Sequence, residues 1–514
     1  MDYLSQRSDA RRRIPGLTMS AAICISLPIK LVAGLVLVIA TSGCASRPLN
    51  APLEQLGERP GYRPQAALEE RANNDPTTFF ALSFSGGGTR AAAFSFGILE
   101  ELDRHRFTEA GETRRLIEEV DVITGVSGGS FTALSYALFG RELFEQYESR
   151  FLKRDVQGAL LRRSLLNPVN WFRQMSGNFG RSEIAAEYYD EILFEEATFN
   201  DLVQSGQVVA IATATVLSTG ARLAFDQNDF DLLCSDLGAM RLSRAAAASS
   251  AVPVALSPVT LTNYAGLCDY QYPAWVRDAR NPGSTGQPSI GVMQRIREME
   301  RLQDSTNHPF IHLVDGGVAD NLGVRGVLEA LEELSFSERF REKRLGDVRR
   351  IVLIVVNAQA SNIPGWDRRE SPPNTFQQTL QSSGVPISLY TSDTVELMKK
   401  TVEEAAAQRQ VHVAEAQLGG LSREEAEALY PVIEMVAFDI SFDGIVDEDE
   451  RSYFQSLPTS FSLPDEAVDR LREIAGRLLR QSPGFQRVLA EWGASAEPGQ
   501  SASDRRTRPQ GRSD

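Results

Sequence analysis

One short stretch of this 514-residue chain places a nucleophilic residue type where it could do chemistry. In residues 125–129 (GVSGG), Ser127 stands between an apolar stretch that predicts a strand and a following helix. Glycines on both sides of a serine permit a strained turn that exposes its oxygen, and a helix N-terminus stabilises negative charge. A serine hydroxyl attacks an ester only when a neighbouring base takes its proton. Without such a base, the pattern fits an ordinary glycine-rich turn equally well.

A second glycine-rich stretch, residues 86–90 (GGGTR), also lies between a predicted strand and a predicted helix. Such a loop directs backbone N–H groups toward an anion, either a phosphate or the oxyanion of an acyl-transfer intermediate. The stretch lacks the GxxxxGK[ST] and GxGxxG patterns of nucleotide-binding loops. Arg90 either steadies this loop, contacts a lipid phosphate, or is a plain surface arginine.

A base for Ser127 has to come from elsewhere in the chain. None of the four histidines lies in a glycine-flanked loop. Asp315 follows the predicted strand 311–314 and precedes two glycines, so we expect its carboxylate at the carboxyl edge of the sheet, where functional groups of α/β proteins gather. Taken alone, Asp315 is as well explained as a structural residue that caps a turn.

The elements around these residues predict an α/β protein. Strands are predicted at 79–84, 120–124, 208–215, 311–314, 351–356 and 432–440, with helices at 89–104, 130–139, 392–410 and 465–479. Several strands are continuously apolar, which predicts a largely parallel sheet covered on both faces. Trp171 and Phe172 lie in a helical segment, and we favour core positions for them over an interfacial lid.

The three motifs GGGTR, GVSGG and DGG (residues 315–317), in this order, resemble the patatin-like phospholipase family. The resemblance covers about residues 77–360 and includes FGRS (179–182), AASSAVP (247–253) and DNLG (320–323). It implies a three-layer α/β/α fold with a mostly parallel central sheet. It also implies a lipid acyl hydrolase without a cofactor, acting on phospholipid or another acyl-ester lipid. Carried over by residue, the nucleophile is Ser127, the base is Asp315, and the oxyanion loop is Gly86, Gly87 and Gly88.

Two other interpretations stay open at this point. A Ser–His–Asp carboxylesterase of another class would order its triad Ser, Asp, His, and only His412 follows Asp315. A catalytically silent, membrane-tethered scaffold would keep the motifs without the reaction.

The N-terminus predicts export. Arg11, Arg12, Arg13 and Lys30 precede an apolar run at 31–40, and TSGC follows at 41–44. This arrangement is typical of a bacterial signal peptide, and TSGC resembles a lipobox with Thr41 as a departure. We therefore expect a leader at 1–43 and a lipid on Cys44. Ala45 favours the periplasmic side of the outer membrane, and an uncleaved inner-membrane signal anchor is the alternative.

Composition sets the remaining limits. A formal net charge of −15 disfavours nucleic acid as a partner. Cys234 and Cys268 would form either a disulfide or two buried thiols, and their spacing does not predict a metal site. We divide the chain into a leader (1–43), a tether (44–76), a catalytic domain (77–360), an extension packed on the core (361–494) and a disordered tail (495–514).

Overall fold

The computed structural model describes most of the chain beyond the leader. It covers residues 47–328, 348–360, 370–374, 394–398 and 409–496, with gaps at 58–60, 65–74, 76, 110, 254, 281–287, 289 and 431, and also residues 378, 400 and 407. The predicted leader, Cys44, much of the predicted helix 392–410 and the tail from 497 onward lie outside the described residues. Their assignments stay predictions.

A large sheet forms the centre of the described part of the chain. Its strands are β1 (Thr78–Phe84), β2 (Val122–Val126), β3 (Val209–Val216), β4 (Arg222–Ala224), β5 (Val259–Thr262), β6 (Phe310–Asp315), β7 (Arg350–Asn357) and β8 (Glu434–Ser441). The spatial order is β8-β7-β1-β2-β3-β6-β5, and β4 pairs with β3. The five strands from β8 to β3 run parallel, whereas β4, β5 and β6 pair antiparallel. The predicted α/β class with a mostly parallel central sheet is confirmed.

The central strands are buried along almost their whole length. Every residue of β2 and six of the eight residues of β7 are buried. Because successive side chains of a strand point to opposite faces, such burial means that both faces of the sheet are covered. Phe84 of β1 pairs with Gly125 of β2, so the loops that follow these two strands start side by side.

Six helices matter most for the site. They are α1 (Thr89–Arg104), α2 (Gly128–Phe139), α3 (Arg181–Tyr189), α4 (Leu242–Ser249), α5 (Asp465–Gln481) and α6 (Pro483–Trp492). The other described helices are Leu143–Tyr147, Val156–Leu165, Pro168–Met175, Phe199–Ser205, Gln227–Leu232, Ala274–Arg280, Ile290–Leu302, Gly317–Asp320, Arg423–Leu429 and Glu448–Ser456. No helix in the described part of the chain is long and apolar enough to cross a membrane.

The C-terminal part of the chain packs directly on the helix that follows the first glycine-rich loop. A Cβ on Gly97 of α1 would lie 2.4 Å from the carbonyl oxygen of Arg472 in α5, so the two helix backbones approach closely. The Arg472 guanidinium pairs with Glu100 of α1 at 2.9 Å. Residues Ser495–Ala496, which we assigned to a disordered tail, instead pair as a short strand with His105–Arg106. Local pattern could not show this pairing because the partner lies about 390 residues earlier.

Two further observations concern residues singled out from the sequence. Cys234 and Cys268 are joined by a disulfide. The expectation of a core position for Trp171 is wrong, because its side chain is half exposed. Helix Pro168–Met175 lies on the outside of the molecule, and Asn170 is its one buried residue.

Candidate active site

Ser127 occupies a strained turn between β2 and α2. It follows the last residue of β2 directly and is the N-cap of α2, with φ 48° and ψ −118°. A non-glycine residue persists at positive φ only where its surroundings hold it. Its N–H donates to the Ser249 hydroxyl at 2.9 Å, and its carbonyl accepts the Ser130 hydroxyl at 2.6 Å. The turn therefore presents one serine side chain in a fixed direction.

The two glycine-rich loops contact each other backbone to backbone. A Cβ on Gly128 would lie 2.0 Å from the carbonyl oxygen of Gly88. Gly88 itself has φ 61°, and a Cβ there would lie 2.4 Å from the carbonyl oxygen of Ser460. Neither position has room for a side chain, so both loops need glycine where they meet.

Asp315 is the last residue of β6, and its carboxylate is buried beside Ser127. One carboxylate oxygen accepts the Gly317 N–H at 2.8 Å, and the Ser127 side chain is the other group whose hydrogen bonding lowers the Asp315 pKa. Burial raises the pKa of Asp315 from 3.8 to about 6, and the bonds from Gly317 and Ser127 oppose that rise. The structure thus brings together the two residues that lie 188 positions apart in the sequence.

The C-terminal end of α4 supports both members of this pair. The Ser249 hydroxyl accepts the Ser127 N–H, and the Ser249 carbonyl accepts the Gly316 N–H at 3.0 Å. The Asp315 N–H donates to Ala251 at 3.0 Å. This segment belongs to the motif AASSAVP (247–253), from which no role for Ser249 was predicted. Its place among the family motifs was the one sequence feature that pointed to a role.

The predicted oxyanion loop divides into two parts. The Gly86 N–H donates to the Asn321 carbonyl at 3.0 Å and is therefore occupied. Gly86 instead provides space, because a Cβ there would lie 3.4 Å from Ser127 Cβ. Among the described residues, the N–H groups of Gly87 and Gly88 donate to no protein acceptor. These two N–H groups of the loop are therefore available as donors.

The structure does not support Arg90 as a contact for a lipid phosphate. Its side chain is buried and donates to the Ala358 carbonyl at 2.8 Å, the Leu457 carbonyl at 2.5 Å and the Thr459 hydroxyl at 3.0 Å. Burial lowers the pKa of Arg90 to about 10. Each of the three guanidinium nitrogens donates to a protein acceptor, so Arg90 fixes the loop rather than meeting a ligand.

All four histidines lie among the described residues, and none of them contacts Ser127 or Asp315. The His105 ring contacts the Glu101 carbonyl at 2.9 Å, and the His312 ring contacts the Thr260 hydroxyl at 2.9 Å. His412 stacks on Tyr430 and pairs with Glu415. A Ser–His–Asp arrangement therefore has no histidine in place. The described residues also contain no cluster of three or more metal-binding side chains.

Fold and site together describe a mostly parallel α/β sheet in which a serine at a strand-to-helix turn lies beside a buried aspartate. Residues 82–328 match the family model described as Patatin-like phospholipase. The chain thus carries a patatin-like phospholipase domain over residues 82–328.

Solved structures of similar proteins include two of human GIVD cytosolic phospholipase A2, both 12% identical to this chain. One has a TM-score of 0.40 and covers 88% of this chain and 66% of its own. The other, a complex with methyl gamma-linolenyl fluorophosphonate, has a TM-score of 0.36 and covers 84% and 64%. VipD from Legionella pneumophila is 11% identical, with a TM-score of 0.28 and coverage of 87% and 71%. This chain spans just under two thirds of the length of those phospholipase chains. No curated protein sequence matches it.

Proposed function

We propose that this chain hydrolyses carboxylic ester bonds of membrane lipids, as a phospholipase A or lysophospholipase, through a Ser127–Asp315 dyad and an acyl-enzyme intermediate. The observation that carries the proposal is the position of the Ser127 side chain beside the buried Asp315 carboxylate, close enough to influence its pKa. No histidine contacts either residue. Asp315 is thus the one base in reach of the serine proton among the described residues.

The first step is acylation. Asp315 accepts the Ser127 proton while the serine oxygen attacks the ester carbonyl carbon. A carboxylate with a pKa of about 6 is mostly ionised at neutral pH and is a stronger base than an ordinary aspartate at 3.8. Burial, the cause of the raised pKa, therefore makes a histidine-free mechanism workable.

The tetrahedral intermediate places its negative charge where backbone donors are free. The N–H groups of Gly87 and Gly88 would hold the oxyanion, and a donor of this kind contributes about 2.7–4 kcal/mol. When the intermediate collapses, the ester C–O bond breaks and Asp315 returns its proton to the leaving alcohol. Water then attacks the acyl-enzyme, gives a proton to Asp315, and releases the fatty acid as Ser127 regains its hydrogen.

The location of the enzyme is a further part of the proposal. A lipid on Cys44 would hold the protein at the cell envelope, on the periplasmic side of the outer membrane. Arg47, the first described residue, is tied to the body by bonds to Thr260 and Thr262 at 2.9 and 2.7 Å. Metabolic labelling with a fatty acid should mark the wild-type protein and fail to mark Cys44→Ser.

A fluorophosphonate probe tests the dyad directly. We expect covalent labelling of the wild type and its loss in Ser127→Ala, because the probe reacts with an activated serine. Asp315→Asn should lose labelling and esterase activity together, since the amide cannot accept the serine proton. Ser135→Ala, which changes another buried serine of α2, and His412→Ala should both label normally.

Each outcome against expectation has a definite meaning. Full activity in Asp315→Asn would overturn the dyad, and loss of activity in His412→Ala would favour the Ser–His–Asp class. A wild type that does not label would favour the silent scaffold.

A further inference from the structure

An exposed apolar surface lies on the two helices Val156–Leu165 and Pro168–Met175, which we call the 156–175 hairpin. Leu160 and Ser164 face inward, as does Val156. Six large apolar side chains face outward: Leu161 59%, Leu165 51%, Leu166 72%, Val169 61%, Trp171 50% and Met175 79% exposed. These are six of the nineteen exposed large apolar residues in the described chain, within fifteen consecutive positions. Concentrated exposure of this kind marks an interaction surface.

The hairpin is built as a stable element rather than a loose loop. Asp155 caps the first helix by accepting the Gly158 N–H at 2.8 Å, and Asn167 caps the second by accepting the Val169 N–H at 3.0 Å. The buried Asn170 donates to the Arg163 carbonyl at 3.0 Å and so joins the two helices. Its apolar side chains are therefore held in solvent by a fixed backbone.

One end of the hairpin adjoins the oxyanion loop. The Gln157 N–H donates to the Phe461 carbonyl at 3.1 Å, and the Phe461 N–H donates to the Gln157 side chain at 3.2 Å. The preceding residue, Ser460, accepts the Thr89 N–H at 2.8 Å. The first turn of the hairpin and the loop at Gly88 are thus bonded to two adjacent residues, Phe461 and Ser460.

The N-terminal end of the described chain is linked through hydrogen bonds to the helix that follows the hairpin. The Thr260 carbonyl accepts bonds from both Arg47 (2.9 Å) and Arg244 (3.0 Å). Arg244 pairs at 3.0 Å with Glu183, in the helix that follows the hairpin. Cys44 is only three residues before Arg47, a span of about 11 Å at most. A lipid on Cys44 would therefore hold this side of the protein toward the membrane.

Charge also distinguishes the hairpin from the rest of the molecule. Residues 156–175 contain three basic residues and no acidic residue, a formal +3 in a chain of net −15. Arg163 and Arg173 pair with Glu191 and Glu187, and the exposed Arg162 pairs with Asp155 at 3.4 Å. Arginine beside Leu and Trp on a surface helix suits an interface with anionic lipid.

We propose that the 156–175 hairpin is a membrane-docking surface, which buries its apolar side chains among the headgroups of an anionic lipid bilayer. The proposal rests on the proposed function, because a lipid acyl hydrolase has to reach substrates that lie in a bilayer.

Trp171 reports on docking from within the surface. The full chain is mixed with vesicles of equal parts phosphatidylglycerol and phosphatidylcholine, the latter brominated on its acyl chains. The difference in quenching between wild type and Trp171→Phe isolates the signal of Trp171 from that of the other three tryptophans. This signal reports contact of the hairpin itself with the bilayer, even if the N-terminus also holds the protein on the vesicle. We expect Trp171 to be quenched, and Leu166→Ser/Met175→Ser to reduce this quenching at least threefold. Absence of Trp171 quenching would overturn the proposal.

Activity on two substrates separates docking from catalysis. The Leu166→Ser/Met175→Ser variant should hydrolyse vesicle lipid at least tenfold more slowly than wild type, yet hydrolyse a soluble short-chain ester within about twofold. Leu418→Ser/Val446→Ser, which alters two highly exposed apolar residues outside the hairpin, should match wild type on both substrates. Equal vesicle hydrolysis by both double variants would overturn docking.

The alternative partner for the apolar surface of the hairpin is a second copy of the chain. Light scattering would then show dimers of the wild type and monomers of Leu166→Ser/Met175→Ser. If Trp171 were also quenched equally in the wild type and in this double variant, the hairpin would be a subunit interface and docking would be refuted. Failure of the proposed function gives a different result: Ser127→Ala would keep full esterase activity. Trp171 quenching needs no catalysis, so it should be equal in Ser127→Ala and wild type.

Discussion

The turn at Ser127 and the turn at Gly87 and Gly88 have the same place in the fold but different supports. Each follows a buried parallel strand and precedes a buried helix. The Ser127 turn is held by Ser249 and Asp315, both within the segment that matches the family model. The glycine turn is held through Ser460 and through the partners of Arg90, all of which lie beyond that segment.

This difference follows from what each turn has to present. The Ser127 turn directs a side chain, and one residue at positive φ with its N–H and carbonyl bonded is enough to aim it. The other turn presents bare N–H groups, and glycines have no side chains with which to fix themselves. Backbone pairing of Gly88 with Ser460 and the buried Arg90 provide that support from the C-terminal part of the chain. The extension is therefore expected to matter for catalysis as well as for stability.

The largest effect is expected where the two turns meet. Gly128→Ala would place a methyl group 2.0 Å from the Gly88 carbonyl, so one or both turns must shift. We expect hydrolysis of a soluble ester to fall by about a thousandfold, because nucleophile and oxyanion donors lose their mutual position. Gly419→Ala, whose added methyl meets nothing closer than 3.3 Å, is the control. Near-normal activity in Gly128→Ala would show that the contact does not position the site.

Arg90 tests whether the glycine turn depends on the C-terminal segment. Arg90→Met leaves the carbonyls of Ala358 and Leu457 without their donor, and we expect a loss of about 2–4 kcal/mol in the free energy of unfolding. If these bonds also place the oxyanion donors, kcat for a soluble ester should fall about a hundredfold with KM little changed. The exposed Arg423 gives the control Arg423→Met. A destabilised Arg90→Met protein with normal kcat would separate loop support from catalysis.

The pH dependence of activity tests the Ser127 turn. Asp315 accepts a proton only as a carboxylate, and its pKa is raised to about 6. We therefore expect kcat/KM for a soluble ester to be level above about pH 7 and to fall roughly tenfold per pH unit below 6. Because histidine ordinarily titrates in a similar range, His312→Asn and His412→Ala serve as controls. Both variants should keep the midpoint of the wild type. A midpoint near 4 would mean that Asp315 is not the base or is not buried during the reaction.

The sequence predicted the residues of the proposed site but not their supports. The order of the motifs singled out Ser127, Asp315 and the glycine loop, because each motif is a local departure from regular structure, and the structure places Ser127 and Asp315 side by side. The turn itself is tighter than expected: we placed the strand end at 124 and the helix start at 130, whereas β2 reaches Val126 and α2 begins at Gly128. Periodicity does not reveal that one residue at φ 48° makes the whole turn.

Contacts between residues that lie far apart in the chain could not be predicted from local sequence patterns. Arg90 was compatible with three roles, and its partners at 358, 457 and 459 decided among them. Trp171 was placed in the core because large aromatic residues are usually buried, yet its helix packs on the outside of the molecule. Both outcomes depend on tertiary placement, which residue type alone does not specify.

The smallest expected effect belongs to Ser249, the residue that joins nucleophile and base. Ser249→Ala removes the acceptor of the Ser127 N–H, a buried group whose loss of a partner costs about 1 kcal/mol or more. We expect kcat to fall about fivefold to tenfold with KM unchanged, because the serine is misdirected while lipid binding is untouched. The adjacent Ser250 is buried too and donates to the Ala246 carbonyl at 2.7 Å, so Ser250→Ala is a matched control with near-normal kcat. Equal loss in both variants would mean that α4 acts through general stability, and the Ser127 turn would then need no support beyond the close packing of its own glycines.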